Sequence, residues 1–449
     1  QNIYIAFVYN NYDQSAIFLD NIEVRRNMNF AVTNQTPTTL VDADNVAVKG
    51  MVTIESPIKE YKGIKIELLN SDNEVVSTVA DADITLKKGD VYDFAFAETL
   101  PLVAGCVNDY KIKISSDDET LELSYSVKNL LFECNKKVIL EEYTGSECGN
   151  CPMGIVAIEN LEKLYPNNFI PLTLRTYQSD MYGSGAYDYT AFLGLTGAPT
   201  GRINRGEILS PMLQNGSKGY TFNGRGIIMD NGEEAYLWAD AVQDELNTPA
   251  EASISFAPDY NVETGALSVP VEVTFALNSD DTSYGVFAVM SEDQLPCYQS
   301  NYMYGTSDPL LGPWGQGGIY AQNVVYTWLA NDVVRHVVNG SAFNGEVLNA
   351  SSITAGEPYT VNLYTTVPKA NVSNANNCFI TVMLVNRSTG RIVNAEKHPM
   401  IYSGINGIES DTDNAEAVYY NLQGMRIDNP AHGNVYIKVQ GGKSSKILF

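Results

Sequence analysis

Positive charge is scarce in this sequence: 28 Lys and Arg stand against 53 Asp and Glu, a formal charge of −25 over 449 residues. A polyanion would be repelled, which excludes nucleic acid as a partner. Histidine is rarer still, with only His336, His398 and His432, all far from the one close pair among six cysteines. Zinc would want a second pair of ligands at short spacing, so neither a metal nor a cofactor is expected. Asp13, Asp20, Asp411 and Asp413 offer oxygen ligands for calcium, but no loop with a matching ligand series accompanies them. Long apolar runs are missing too. The longest are strand-sized, as at 84–86 and 286–290, against the roughly 18 residues a membrane helix needs. Six cysteines are also too few for a small disulfide-built scaffold.

What is present describes a globular chain. Hydrophobic residues make up 44% and charged residues 18%, too apolar for a disordered acidic chain. At about 150 residues per domain the length suggests roughly three domains. The chain opens at Gln1 without an initiator Met, from which the removal of a secretion signal or of a longer N-terminal part is expected. Many Tyr, with few Lys and Arg, favour an extracytoplasmic setting.

The expected fold class is multidomain and β-rich with one α/β domain. Residues 1–28 read as two strands joined by a polar turn, the end of a larger domain, since an isolated hairpin is not stable alone. Residues 29–135 carry short alternating runs broken by turn signals, a β-sandwich of immunoglobulin-like size. Cys106 and Cys134 flank its last strands, and in an exported chain a bridge between them is expected. Residues 136–247 change period. An apolar strand at 138–140 precedes the Cys pair, and Ile155, Ile158, Leu161 and Leu164 then give the apolar face of a helix that Pro166 stops. A strand at 170–177, a helical segment near 187–195, a Gly197-Ala198-Pro199-Thr200 turn and a helix at about 233–246 follow. Residues 248–400 return to β alternation as a second sandwich, interrupted by a Gly- and aromatic-rich excursion from Cys297 to about Trp328. Its Tyr298, Tyr302, Tyr304, Trp314, Tyr320, Tyr326 and Trp328 are expected mainly to cover that sandwich's own core, the alternative being exposed rings that stack on sugars or peptides. Parity then pairs Cys297 with Cys378. Residues 401–416 have the composition of a mobile linker, and 417–449 form a small C-terminal β domain.

The chemistry sits at Cys148-Gly149-Asn150-Cys151. A Cys-x-x-Cys at the start of a helix has a mechanism behind it. The helix N-terminus stabilises a thiolate on the first Cys, and the second, one turn on, can resolve a mixed disulfide. Cys148 is the expected nucleophile and Cys151 the resolver; Pro152 suits a first helical turn. The competing reading is a redox-inert local disulfide or half a zinc knuckle.

The segment resembles the thioredoxin superfamily. That resemblance implies a buried acid six positions before the first Cys, which is Glu142, as proton acceptor, and a cis-proline packed against the pair, which is Pro199. It departs at Glu147, where thioredoxins usually carry Trp; a carboxylate there would oppose the thiolate. The stretch 138–152, continuing through Gly-Ala-Pro-Thr-Gly-Arg-Ile-Asn-Arg into a β-sandwich, is similar to the outer-membrane-protein-twenty-eight-related family of thioredoxin-like proteins over about 136–400. Residues 4–24 resemble the closing strands of cleaved-adhesin jelly rolls. Val418-Tyr419-Tyr420-Asn421-Leu422-Gln423-Gly424, with the terminal Lys446-Ile447-Leu448-Phe449, resembles the C-terminal sorting domain of type nine secretion, which implies export and association with the outer membrane or cell surface without a transmembrane helix.

Two functions from different classes follow. One is an exported thiol-disulfide oxidoreductase acting on protein thiols or disulfides; the other is a non-catalytic adhesin or ligand binder that uses the thioredoxin-like unit as a scaffold. Accessibility of Cys148 separates them.

Overall fold

The computed structural model describes residues 29–56, 59–178, 183, 185–211, 221–222, 227–228, 237–400, 418–420, 426–427, 435–440 and 443–448. The expected hairpin of residues 1–28, the candidate calcium aspartates and the linker 401–416 lie outside them.

In the N-terminal segment, alternation sets both sheets. Every second residue of Lys49–Ile54 and of the later part of Cys106–Ser116 is buried, as a half-covered strand requires. A three-stranded sheet of Phe30–Asn34, Lys49–Ile54 and Val91–Ala95 faces a five-stranded one. The second sheet runs in the order Thr39–Val41, Glu119–Leu130, Cys106–Ser116, Tyr61–Leu69, Val75–Leu86. Val52, Ile66, Leu68, Tyr110, Ile112 and Ile114 interlock between them. The disulfide expected here does not form: Cys106 and Cys134 are free thiols. Cys106 opens a strand and receives a hydrogen bond from Asn278 Nδ2 at 3.2 Å, whereas Cys134 packs with Leu130, Ala250, Ala276 and Leu277. Burial pushes the Cys134 thiol up to about 11.

The next segment is built on β1 (Val138–Tyr143), α1 (Pro152–Leu164), β2 (Phe169–Leu174), α2 (Ala186–Phe192), β3 (Thr200–Ile203), β4 (Ile208–Leu209) and α3 (Trp238–Leu246). β2 pairs parallel to β1, β3 antiparallel to β1 on its other side, and β4 antiparallel to β3. Helices α1 and α3 cover one face through Val138, Leu140, Ile158, Leu161, Trp238 and Val242. Helix α2 covers the other through Ala186 and Tyr189.

This sheet does not end where the α/β pattern ends. The strands that continue it are β5 (Tyr284–Glu292), β8 (Val333–Val337), β9 (Cys378–Asn386) and β10 (Ile392–Pro399), with β6 (Leu295–Ser300) and β7 (Val324–Ala330) forming a separate hairpin between β5 and β8. Thr173 of β2 pairs with Val333 of β8, and the order becomes β4-β3-β1-β2-β8-β5-β9-β10, with Glu346–Val347 on β5 as a ninth strand. Segments 136–247 and 248–400, read from sequence as separate units, thus build one sheet. β5 is apolar and buried on both sides because it is central: Val286, Ala288 and Met290 face a four-stranded sheet containing Ala252–Phe256, Ala266–Phe275 and Pro358–Thr366, while Phe287 and Val289 face the α2 layer. The expected Cys297–Cys378 bridge is also absent, since Cys378 points into the first of these layers and Cys297 lies in a third cluster on β6. At the C-terminus, Val418–Tyr420, Arg426–Ile427, Val435–Gln440 and Lys443–Leu448 form a four-stranded antiparallel sheet.

Candidate functional site

β1 carries two adjacent carboxylates into the interior, and alternation sends them to opposite faces. Glu141 faces the α2 layer, where it accepts hydrogen bonds from Tyr189 Oη and from Arg205 Nε, the latter at 3.1 Å. Glu142 faces α1. There its Oε1 is buried with no hydrogen-bond partner. Burial pushes the carboxyl up to about 8; Arg175 pulls it back and Asp332 adds to the rise.

After β1 the chain turns through Gly145–Cys148, closed by Cys148 N–H donating to Gly145 O at 3.2 Å. Cys148 and Cys151 are joined as a disulfide with 5.3 Å between their Cα atoms. Cys151 is the residue before α1, and Pro152 takes the first helical position, where its missing N–H costs nothing. Position 154 follows Cys151 by three residues, on the same helix face. It is Gly for a steric reason: a Cβ there would collide with Glu142 Oε1 and would lie 3.3 Å from Pro199 Cβ and 3.5 Å from the Trp238 ring. The Ala198–Pro199 peptide bond is cis. Glu142, Pro199 and the helix that starts at the cysteine pair therefore meet around one glycine. Both sulfur residues are deep, Cys148 at 5% exposure and Cys151 at 0%.

The depth comes from the aromatic excursion. It does not cover the second sandwich's core, as expected from sequence; it covers α1. Met153, Ile155 and Val156 of the helix pack with Leu295, Leu311, Trp314, Val325 and Trp328 of the hairpin and its loop. The β6 end is laced to the cysteine turn: Ser300 N–H donates to Ser146 O at 2.8 Å, Tyr302 N–H to Gly149 O at 2.7 Å, and Gln299 Nε2 to Cys148 O at 2.9 Å. The Tyr302 ring lies so close over Gly149 that a Cβ there would fall 2.5 Å from its carbons. Tyr298 Oη donates to the Glu147 carboxylate, so the charge that departs from the thioredoxin pattern is held by a partner. Tyr302, Tyr304 and Tyr326 are exposed, whereas Trp314 and Trp328 are buried.

Sequence reasoning missed Arg175. It follows the last residue of β2 and is 1% exposed. Its Nη2 donates to Gln299 Oε1 at 2.8 Å, Ser146 Oγ at 3.4 Å and Cys297 Sγ at 3.5 Å, and its guanidinium lies 5.0 Å from the centre of the Trp328 ring. The available signal was a charged residue closing a strand in which Thr173 is the one polar member. Glu142, Arg175, Trp328 and Asp332 line a cavity of about 40 Å³, with Glu159 and Glu162 also in its wall. Burial, with a contribution from Asp332, pushes Glu162 up to about 7. Among the described residues no cluster of His, Cys, Asp and Glu could hold a metal ion.

Residues 186–400 match the family model described as outer membrane protein Omp28. The matched stretch includes Pro199 but begins after both cysteines and Glu142. No curated protein matches the chain. Among solved structures, HBP35 of Porphyromonas gingivalis is similar at 15% identity over 70% of this chain and 98% of its own, with a TM-score of 0.40. A β-glucosidase from Listeria innocua, in complex with glucose, is similar at 12% identity over 23% of this chain and 16% of its own, with a TM-score of 0.16. The β-glucuronidase from Ruminococcus gnavus is similar at 11% over 32% and 28%, again with a TM-score of 0.16. Likenesses this distant carry no argument about activity. No helix among the described residues is long and apolar enough to cross a membrane, and the family match points to a protein associated with the cell envelope.

Proposed function

We propose that this envelope-associated protein carries a thiol-disulfide oxidoreductase centre in a thioredoxin-like unit spanning about 136–247, with Cys148 as nucleophile, Cys151 as resolver, Glu142 as proton acceptor and Pro199 beside the pair. The observation that carries the reading is the buried Glu142 Oε1, without a hydrogen-bond partner and set against the face of α1 that starts at Cys151. An ionisable group held there without a hydrogen bond is costly unless it exchanges a proton. In the dithiol state, Cys148 thiolate attacks a sulfur of a substrate disulfide, which breaks and releases one thiolate; Cys151 then gives its proton to the ionised form of Glu142, which grows as pH rises toward 8, and attacks Cys148, releasing the second. The parallel β1/β2 pair, antiparallel β3 and β4, and helices on both faces support the thioredoxin-like assignment. The immunoglobulin-like character of 29–135 and a sorting role for 417–449 belong to the same proposal, the latter resting on its sequence alone.

One observation favours the scaffold reading: Cys148 is nearly covered, and three exposed tyrosines stand on the segment above it. Reduction of insulin by the dithiol form separates the two. The expected outcome is turnover by the wild type, none by Cys148→Ser, and trapped mixed disulfides with Cys151→Ser. A wild type at background rate would leave the binding reading in its place.

A further inference from the structure

Cys297 does not form the bridge to Cys378 that parity predicts, yet it is not an inert core thiol. It sits on β6 two residues before Gln299, and residues two apart on a strand share a face. Both side chains of that face reach the cysteine turn: Cys297 Sγ lies 3.2 Å from Ser146 Oγ, and Gln299 Nε2 donates to Cys148 O. Ser146 is itself two residues before Cys148, within the same tight turn.

The second observation is Arg175. Among the described residues it forms no ion pair with a carboxylate, its Nε has no hydrogen-bond partner, and it is buried. A buried cation without an anion is costly. Its Nη2 donates to Gln299 Oε1 at 2.8 Å and also reaches Cys297 Sγ at 3.5 Å, while the Cys297 thiol donates to Tyr298 O at 2.9 Å; a cation beside the sulfur favours negative charge there once that proton leaves.

We propose that Cys297 is a third redox thiol, which exchanges with the Cys148–Cys151 disulfide inside the molecule under the guidance of Arg175. Cys297 gives up its proton, which replaces the one that Glu142 hands to Cys151 in the same exchange, and its Sγ attacks Cys148 Sγ. The Cys148–Cys151 bond breaks, its electron pair goes to Cys151 Sγ, and a Cys148–Cys297 disulfide forms. Cys151 takes a proton from Glu142, whose carboxyl is protonated at neutral pH because burial holds it up near 8. One disulfide replaces another, so no external oxidant is consumed. The new bond needs Cα atoms within about 7 Å, between a turn and a strand already joined by the Ser300–Ser146 and Gln299–Cys148 hydrogen bonds. The consequence is a parked state in which the nucleophile is protected by a thiol that no outside protein reaches, Cys297 being 8% exposed. This rests on the proposed reactivity of Cys148 and adds a partner to it.

The experiment maps disulfides in the full chain. Cys151→Ser is reoxidised with oxidised glutathione, quenched in acid, alkylated and digested without reduction. A Cys148–Cys297 peptide pair as the main product is expected, with Cys378 uninvolved. The wild type, treated with one equivalent of dithiothreitol and quenched, should show the same pair as a minor species. Arg175→Gln should slow its formation about tenfold, and Arg175→Lys should restore much of the rate. Cys148 recovered only as the glutathione adduct in the variant, together with no such pair in the wild type, would overturn the proposal. Insulin reduction reports the oxidoreductase reading separately: it can fail while the cross-link forms, and succeed while it does not.

Discussion

The N-terminal sandwich and the large sheet that follows treat charge in opposite ways. Between the two sheets of residues 29–135 the side chains are apolar, and ion pairs such as Lys59 with Asp118 and Glu119 lie at the rim. From β1 onward, Glu141, Glu142, Arg175, Arg205 and Glu292 are all buried. A sandwich needs only two apolar faces, so its charges stay off them, and the one it buries among the described residues, Glu67, is held by Lys65 and Lys113. The large sheet is covered on both sides, and any charge it carries must be paired, neutralised or used. Glu141 is paired, by Arg205 and Tyr189. Glu142 has no such cation on it, and in the proposed function that difference separates a structural carboxylate from a proton acceptor. Burial pulls the Arg205 guanidinium down, but Glu141 and the Tyr189 oxygen raise it by more, the balance of a settled pair.

The largest effect should come from breaking that pair. Arg205→Leu leaves Glu141 charged and buried, and chemical denaturation should show a loss of about 3–5 kcal/mol. Adding Glu141→Leu should recover part of it, since two apolar side chains leave no orphan charge. A single variant as stable as the wild type would remove the distinction between the two carboxylates.

Glu142→Gln sharpens the comparison through pH. The folded carboxyl titrates near 8 and the unfolded one in the ordinary carboxylate range, so the native state holds a proton that the unfolded chain has released. That contribution is complete below the unfolded value, declines as pH rises through the window and is gone above the folded value. In the oxidised protein, the stability of the variant relative to wild type should therefore rise by something on the order of 3 kcal/mol between pH 5 and pH 9. Denaturation midpoints at a series of pH values test this, and parallel curves would mean that Glu142 is ionised in the fold.

The smallest effect belongs to the rim. Lys59→Ala removes an ion pair whose partner Asp118 is open to solvent, and its denaturation midpoint should stay within error of the wild type, in low salt and in high.

Local rules were enough to read much of this protein. Alternation of period two marked the sandwich strands, a spacing of three marked α1, and the order strand, cysteine pair, helix marked the Cys-x-x-Cys motif; these features follow from backbone geometry, which acts over a few residues. Glu142 and Pro199 were reached differently, as the positions that the resemblance to thioredoxins implies. What the aromatic excursion covers did not follow, because apolar side chains state that they will be buried without stating against what. Nor did the joining of β2 to β8, which rests on Thr173 meeting Val333 across 160 residues of chain. Cysteine pairing by parity failed for the same reason: Cys106, Cys134, Cys297 and Cys378 are assigned by the clusters they fall into, and a bridge needs Cα atoms within about 7 Å, a distance set by packing alone. The meeting of Arg175 with Cys297 beside the cysteine turn is likewise a product of tertiary structure, since only the packing of β6 onto that turn brings the guanidinium, the thiol and the Ser146 hydroxyl together.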